Sequence, residues 1–222
     1  MKPFNLLALS LIFFVTGCST LKKDVLLDTD NLPLALRSLA DGASVKLAAR
    51  EYRLDEVLML ENKNNIKIDG NGATFVMKSL SENVLHLTGC TNIQLTNFKA
   101  THIEPSGPTG CTGNVIYMDE SSDILIQDCD LNGSGIVGIA AYNTDNLRVV
   151  DNYIHENSEY AIIYQGPSLL LTNNVFEENG NGNVIYFSYV PKDGVLGWPP
   201  EEKIGADTQM QGLVMRDNNF KN

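Results

Sequence analysis

The chain has 222 residues, with 16 basic and 27 acidic side chains and a formal net charge of −11. That length fits one domain, and a surface this acidic excludes nucleic acid and anionic lipid as partners while suiting cations or neutral molecules. Four cysteines without a Cys-x-x-Cys spacing offer no zinc donor set.

The chain opens with Lys2 and an apolar run, LLALSLIFFVT, over residues 6–16. Eleven residues of helix cover about half of a bilayer core, which needs ~20, so the run predicts a cleaved signal rather than a transmembrane anchor. VTGC, residues 15–18, resembles the lipobox of bacterial lipoproteins. The resemblance implies a signal peptide over residues 1–17, cleavage before Cys18, and acyl chains such as palmitate on the cysteine. Ser19 stands where inner-membrane retention shows Asp, so the same resemblance implies an outer-membrane anchor. Loss of residues 1–17 removes one lysine and no acid, leaving 15 bases, 27 acids and a charge of −12. Residues 18–31 then read as a polar tether and residues 32–222 as the folded domain.

Residues 32–42, LPLALRSLADG, predict a short helix with Pro33 in its first turn, Leu34, Leu36 and Leu39 on overlapping faces, and Gly42 as the stop. SVKLAAREYRL follows as the start of the first repeat.

From there the chain repeats itself. LRVVDNYIHEN begins at Leu147 and LLLTNNVFEEN at Leu169; both alternate apolar residues, place Asn sixth, and end in Glu-Asn. Six segments align on Ile66, Ile93, Ile124, Leu147, Leu169 and Leu213, with Asn71, Phe98, Cys129, Asn152, Asn174 and Asn218 at the sixth position. The last interval is 44 residues, either two turns or one turn carrying an insertion. A second recurring strand surrounds Leu85, Ile116, Ile139, Ile162 and Ile185. A third aligns Ala73, Ala100, Leu131, Ile154, Phe176 and Phe220. Three short strands per ~22 residues without helical periodicity predict an all-β parallel β-helix of about six coils. The helix caps one end, and stacked Asn side chains bond the backbone inside a turn. The chain stops part-way through a coil, and an open edge there would permit a homodimer.

These repeats resemble the right-handed parallel β-helix proteins of the pectate-lyase-like superfamily, over roughly residues 44–222. The resemblance implies that substrate lies along the outer face of the strand aligned on Leu85. Outward positions there are His86, Tyr117, Ala140, Ile163 and Tyr186, bordered by loops at residues 104–113 and 191–211; the second holds Trp198, the only tryptophan. Tyr117, Tyr186 and Trp198 are the residues expected to bind sugar rings, which stack on aromatics; covering of hydrophobic surface is the alternative. His86 and Tyr117 fall on adjacent coils and form the candidate acid–base pair of a polysaccharide lyase or epimerase. No Arg or Lys lies on that face to neutralise a substrate carboxylate.

Asn143-Thr144-Asp145 spells a polygalacturonase tripeptide but follows the face strand instead of leading into it, so it reads as a turn. Asp128, Asp130 and Asp151, with Asp217 beyond, flank the Asn turn, where a Ca²⁺ ion or plain hydration would offset their repulsion. His155 and Glu177 read as a surface pair and His102 as a buried histidine. Cys90 and Cys111 sit where a bridge needs the 104–113 loop to fold back; Cys129 reads as buried and inert. The expected role is an outer-membrane lipoprotein binding a glycan or an envelope protein along its face. A small polysaccharide lyase or epimerase, or a structural envelope component, are the alternatives.

Overall fold

The computed structural model describes residues 24–103, 110–133, 136–180, 185–192 and 207–221. Its strands pair in parallel from coil to coil, as the repeat requires. The first strand of each coil stacks Val45, Ile68, Leu95, Ile126, Val149, Leu171 and Met215 in one register column. Every one of them is buried. Among the described residues this makes about seven coils, close to the six expected. The first is Ser44–Leu47 with Glu51–Leu54, the stretch read as the start of the repeats but standing ahead of the six aligned segments. Val25–Leu27, within the stretch read as a tether, adds a further parallel strand above Val45–Leu47.

The second strand of each coil builds a six-stranded sheet. Leu85, Ile116, Ile139, Ile162 and Ile185 align as expected, with Leu58 ahead of them. The interior beside this column holds Tyr164 stacked on Phe187 at 5.8 Å between ring centroids. The Tyr164 hydroxyl donates to Thr144 O at 2.6 Å and accepts from Ser168 N at 2.9 Å, which satisfies a polar group that burial would otherwise penalise.

The third strand corrects one alignment. Ala100 pairs with Phe75, not Ala73, while Ala73 faces Phe98. Gly70, Asn71 and Gly72 insert two residues into that turn, so the register shifts by one pleat. The column runs Tyr52, Phe75, Ala100, Leu131, Ile154, Phe176 and Phe220. Aromatic rings meet at both ends, Tyr52 with Phe75 tilted at 6.1 Å between centroids and Phe176 stacked on Phe220 at 5.0 Å.

Corners are made by residues in the left-handed region, where Asn and Asp are the tolerated L-residues. Asn97, Asp128, Asp151, Asn173 and Asp217 all have φ between 54° and 57°. Each immediately precedes the sixth position, which explains why those positions turn inward. The expected Asn ladder forms there. Asn218, Asn174 and Asn152 each accept through Oδ1 from the backbone N–H of the sixth residue one coil earlier, at 3.0 Å. Their amide nitrogens donate to Leu171 O, Val149 O and Ile126 O. Asn71 stands apart, half-buried, donating to Leu47 O at 3.2 Å.

The cap helix is shorter than expected, Leu32–Arg37, with Asn31 as N-cap. Leu32, Pro33 and Leu36 are buried, but Leu34 is exposed. At the other end Leu169 pairs directly with Leu213, so the 44-residue interval is one turn with an insertion. Thr208–Met210 of that insertion pair antiparallel with Leu213–Arg216 and cover this sheet's last parallel strand.

Candidate functional site

The outer face of the six-stranded sheet carries two parallel rows, because residues two apart on a strand share a face. The first row is Met59, His86, Tyr117, Ala140, Ile163 and Tyr186; the second is Glu61, Thr88, Asp119, Tyr142, Gln165 and Ser188. His86 and Tyr117 meet edge to face at 4.7 Å between ring centroids. Tyr117 lies 5.8 Å from Tyr142, and Tyr186 lies 6.0 Å from Tyr160. Ala140 is buried beside Tyr117. The stripe is thus a half-buried aromatic surface running across the coils, with Ala140 as its small member.

Tyr142 and Tyr160 extend the stripe beyond the sequence expectation. Tyr142 was legible in VGIAAYNT, two residues after outward Ala140; Tyr160 opens its strand and has no such cue. Arg37, Met59, Glu61 and Lys63 line an open groove of about 480 Å³ at the stripe's N-terminal end. Its cations are engaged: Arg37 pairs with Glu56 at 3.2 Å, and Lys63 donates to Leu39 O at 2.7 Å. A larger groove of about 660 Å³ lies beside the cap, lined by Asp30, Arg50, Tyr52 and Glu56 among others. None of its lining residues belongs to the aromatic rows, and Arg50 there pairs with Asp28 and Asp30 and lies over the Tyr52 ring, its Nε making no hydrogen bond.

Burial lowers the His86 pKa below its ordinary value, against smaller opposing effects of Asp119 and Glu61. Burial, aided by Asp119 and Tyr142, raises that of Tyr117. A neutral imidazole suits a general base and a protonated phenol can donate a proton, so these shifts alone do not argue against acid–base work. No Lys or Arg occupies either row among the described residues. The surface is therefore better built to stack a ring than to ionise a uronate.

The carboxylates expected around the Asn turn do not converge. Asp128 and Asp151 sit at left-handed corners, and Asp151 accepts from the Asn173 side chain. Asp130 instead binds Lys99 at 3.0 Å and His155 Nε2 at 2.9 Å. Among the described residues no group of three or more metal-type ligands comes together. His155 is in register with Glu177 but buried, with its Nδ1 on Glu156 and its ring stacked on Tyr153 at 3.9 Å. Glu177 turns to the Tyr153 hydroxyl and Lys221. This polar network of two lysines, three carboxylates, Tyr153 and His155 ties five successive coils.

Other expectations hold in part. His102 is buried, with Nε2 2.7 Å from Glu82 O. Asn143 is a left-handed corner residue bonded to Asp119, and Asp145 binds Lys192, so that tripeptide is a turn. Cys90, Cys111 and Cys129 are buried and none is in a disulfide. Burial pushes the Cys129 thiol up to about 12, consistent with an inert side chain. Cys18 and Trp198 lie outside the described residues.

Among those residues no helix is long and apolar enough to cross a membrane. A family model described as the right handed beta helix region matches residues 55–191, more than half of the chain. No curated protein matches the sequence.

Proposed function

Because the chain belongs to the right-handed β-helix family, we propose that it binds a glycan along the outer face of its six-stranded sheet. The observation that carries this reading is the aromatic stripe. His86, Tyr117 and Tyr142 offer ring faces on three successive coils. Sugar C–H faces stack on such rings while their hydroxyls bond the phenols and the imidazole. Coil spacing of roughly 4.8 Å sets the rings in a ladder along the solenoid axis, the direction in which a linear oligosaccharide would lie.

The lipobox resemblance supports a second element of the proposal. Lipid on Cys18 would hold the solenoid at the outer membrane, where envelope glycans and envelope proteins are within reach. Mass spectrometry of the envelope-extracted protein, compared with Cys18→Ser, tests that anchor.

Thermal-shift and calorimetric titration against a panel of oligosaccharides tests the glycan reading. Binding by at least one sugar, lost in Tyr117→Ala and Tyr142→Ala while their melting stays cooperative, supports it. Unsaturated product from a uronate polymer, lost in His86→Ala, would favour a lyase. Silence across the panel favours a structural envelope protein.

A further inference from the structure

Resting on the glycan reading above, we propose that the sugar recognised by this face carries a protonated amine, as an amino sugar without N-acylation does. The charges of the two outward rows point there. Among the described residues, their charged members are Glu61 and Asp119, both acids. Asp119 stands two residues beyond Tyr117 on the same face, and its Oδ1 accepts from the neutral amide of Asn143 at 3.3 Å. No Lys or Arg among the described residues pairs with it. Arg37 and Lys63, which line the groove with Glu61, are committed to Glu56 and to Leu39 O, and Lys192 pairs with Asp145. Exposed Glu82 and Glu159 precede the face strands, and exposed Glu120 follows one.

An ammonium group on a ring seated over Tyr117 and Tyr142 meets a π face and a carboxylate together. Both attract it, and each strengthens as water is displaced. A uronate seated there would bring its own carboxylate against Asp119 with nothing to neutralise either. An N-acetyl sugar would stack equally well but offer Asp119 only a neutral N–H in place of a charge. Burial lowers the His86 pKa below its ordinary value, so this imidazole offsets the acids less than an exposed one would.

The test is calorimetry at low salt and mildly acidic pH with three probes of equal length: a glucosamine oligosaccharide, its fully N-acetylated form, and an oligogalacturonate. The expected order is glucosamine tightest, about tenfold ahead of the acetylated form, the size of a cation–π contact plus an exposed ion pair. The advantage shrinks with salt and disappears in Asp119→Asn, whose unchanged melting temperature reports an intact fold. Equal or tighter binding of the acetylated form or of the uronate overturns the inference and leaves the glycan reading standing. So does a preference that persists in Asp119→Asn. Failure of all three probes to bind overturns the inference and counts against the glycan reading as well.

Discussion

Asn174 bonds Asn152 twice: its Oδ1 accepts from the Asn152 backbone N–H at 3.0 Å and from the Asn152 side-chain amide at 3.1 Å. Its own Nδ2 donates to Val149 O at 2.8 Å. Asn174 is fully buried, so these groups have no water to turn to. Truncation by Asn174→Ala should cost ~2–4 kcal/mol, since buried donors and acceptors are left unmade. Asn71→Ala, at a half-buried corner with one bond, should cost under ~1 kcal/mol. Urea denaturation of both variants checks the contrast; equal losses would mean the interior ladder carries no special weight.

Gly138 is the second residue of the strand Val137–Tyr142, which bears Ala140 and Tyr142. A Cβ placed there would lie 2.7 Å from Ala161 O and from Ile154 Cγ2. Gly138→Ala should therefore destabilise by ~1–3 kcal/mol through overpacking. Thermal melting tests this, and an unchanged midpoint would mean that neighbouring coils separate more freely than their register implies.

Asp130 sets a pH dependence. Burial would raise its pKa, but hydrogen bonds from His155 and Lys99 outweigh burial and hold the carboxyl below its ordinary value. Its ionised form stabilises the fold at pH values above the unfolded value of about 3.9, and that contribution is lost as pH falls through the lower folded value. On acidification through this window the native chain should lose stability more steeply than Asp130→Asn. Denaturant titrations at a series of pH values measure both slopes; parallel slopes would contradict the network.

His86 reports on the proposed site. Its imidazole should titrate below 6.5 because burial disfavours the charged form. Asp119 opposes that shift, so Asp119→Asn should lower the midpoint further. Histidine NMR across pH reads this directly. An unchanged midpoint in the variant would place the Asp119 charge away from the ring.

Much of this architecture was legible because each coil restates the same period-two alternation. Ile93, Ile124, Leu147 and Leu169 align in space as they do in sequence. The Ala73-for-Phe75 slip was not legible, since two extra residues in a Gly-Asn-Gly corner change register without changing the apolar pattern. The repeated Glu-Asn was visible, but its role was not. Asn157 and Asn179 form a second buried ladder, 2.7 Å apart, at the corner after the third strand. At the site, alternation revealed His86 and Tyr117. Lys99 aligns directly with Asp130, but the diagonal link from Asp130 to His155, itself in register with Asn132, depends on side-chain reach that strand periodicity does not encode.

The proposed sugar site can be located directly. Two-dimensional NMR of the chain titrated with the tightest oligosaccharide of the panel locates it. The prediction is saturable shifts at His86, Tyr117, Asp119 and Tyr142. Shifts confined to the Tyr153 and His155 face or to the groove beside Arg50, with the aromatic stripe unmoved, would contradict it.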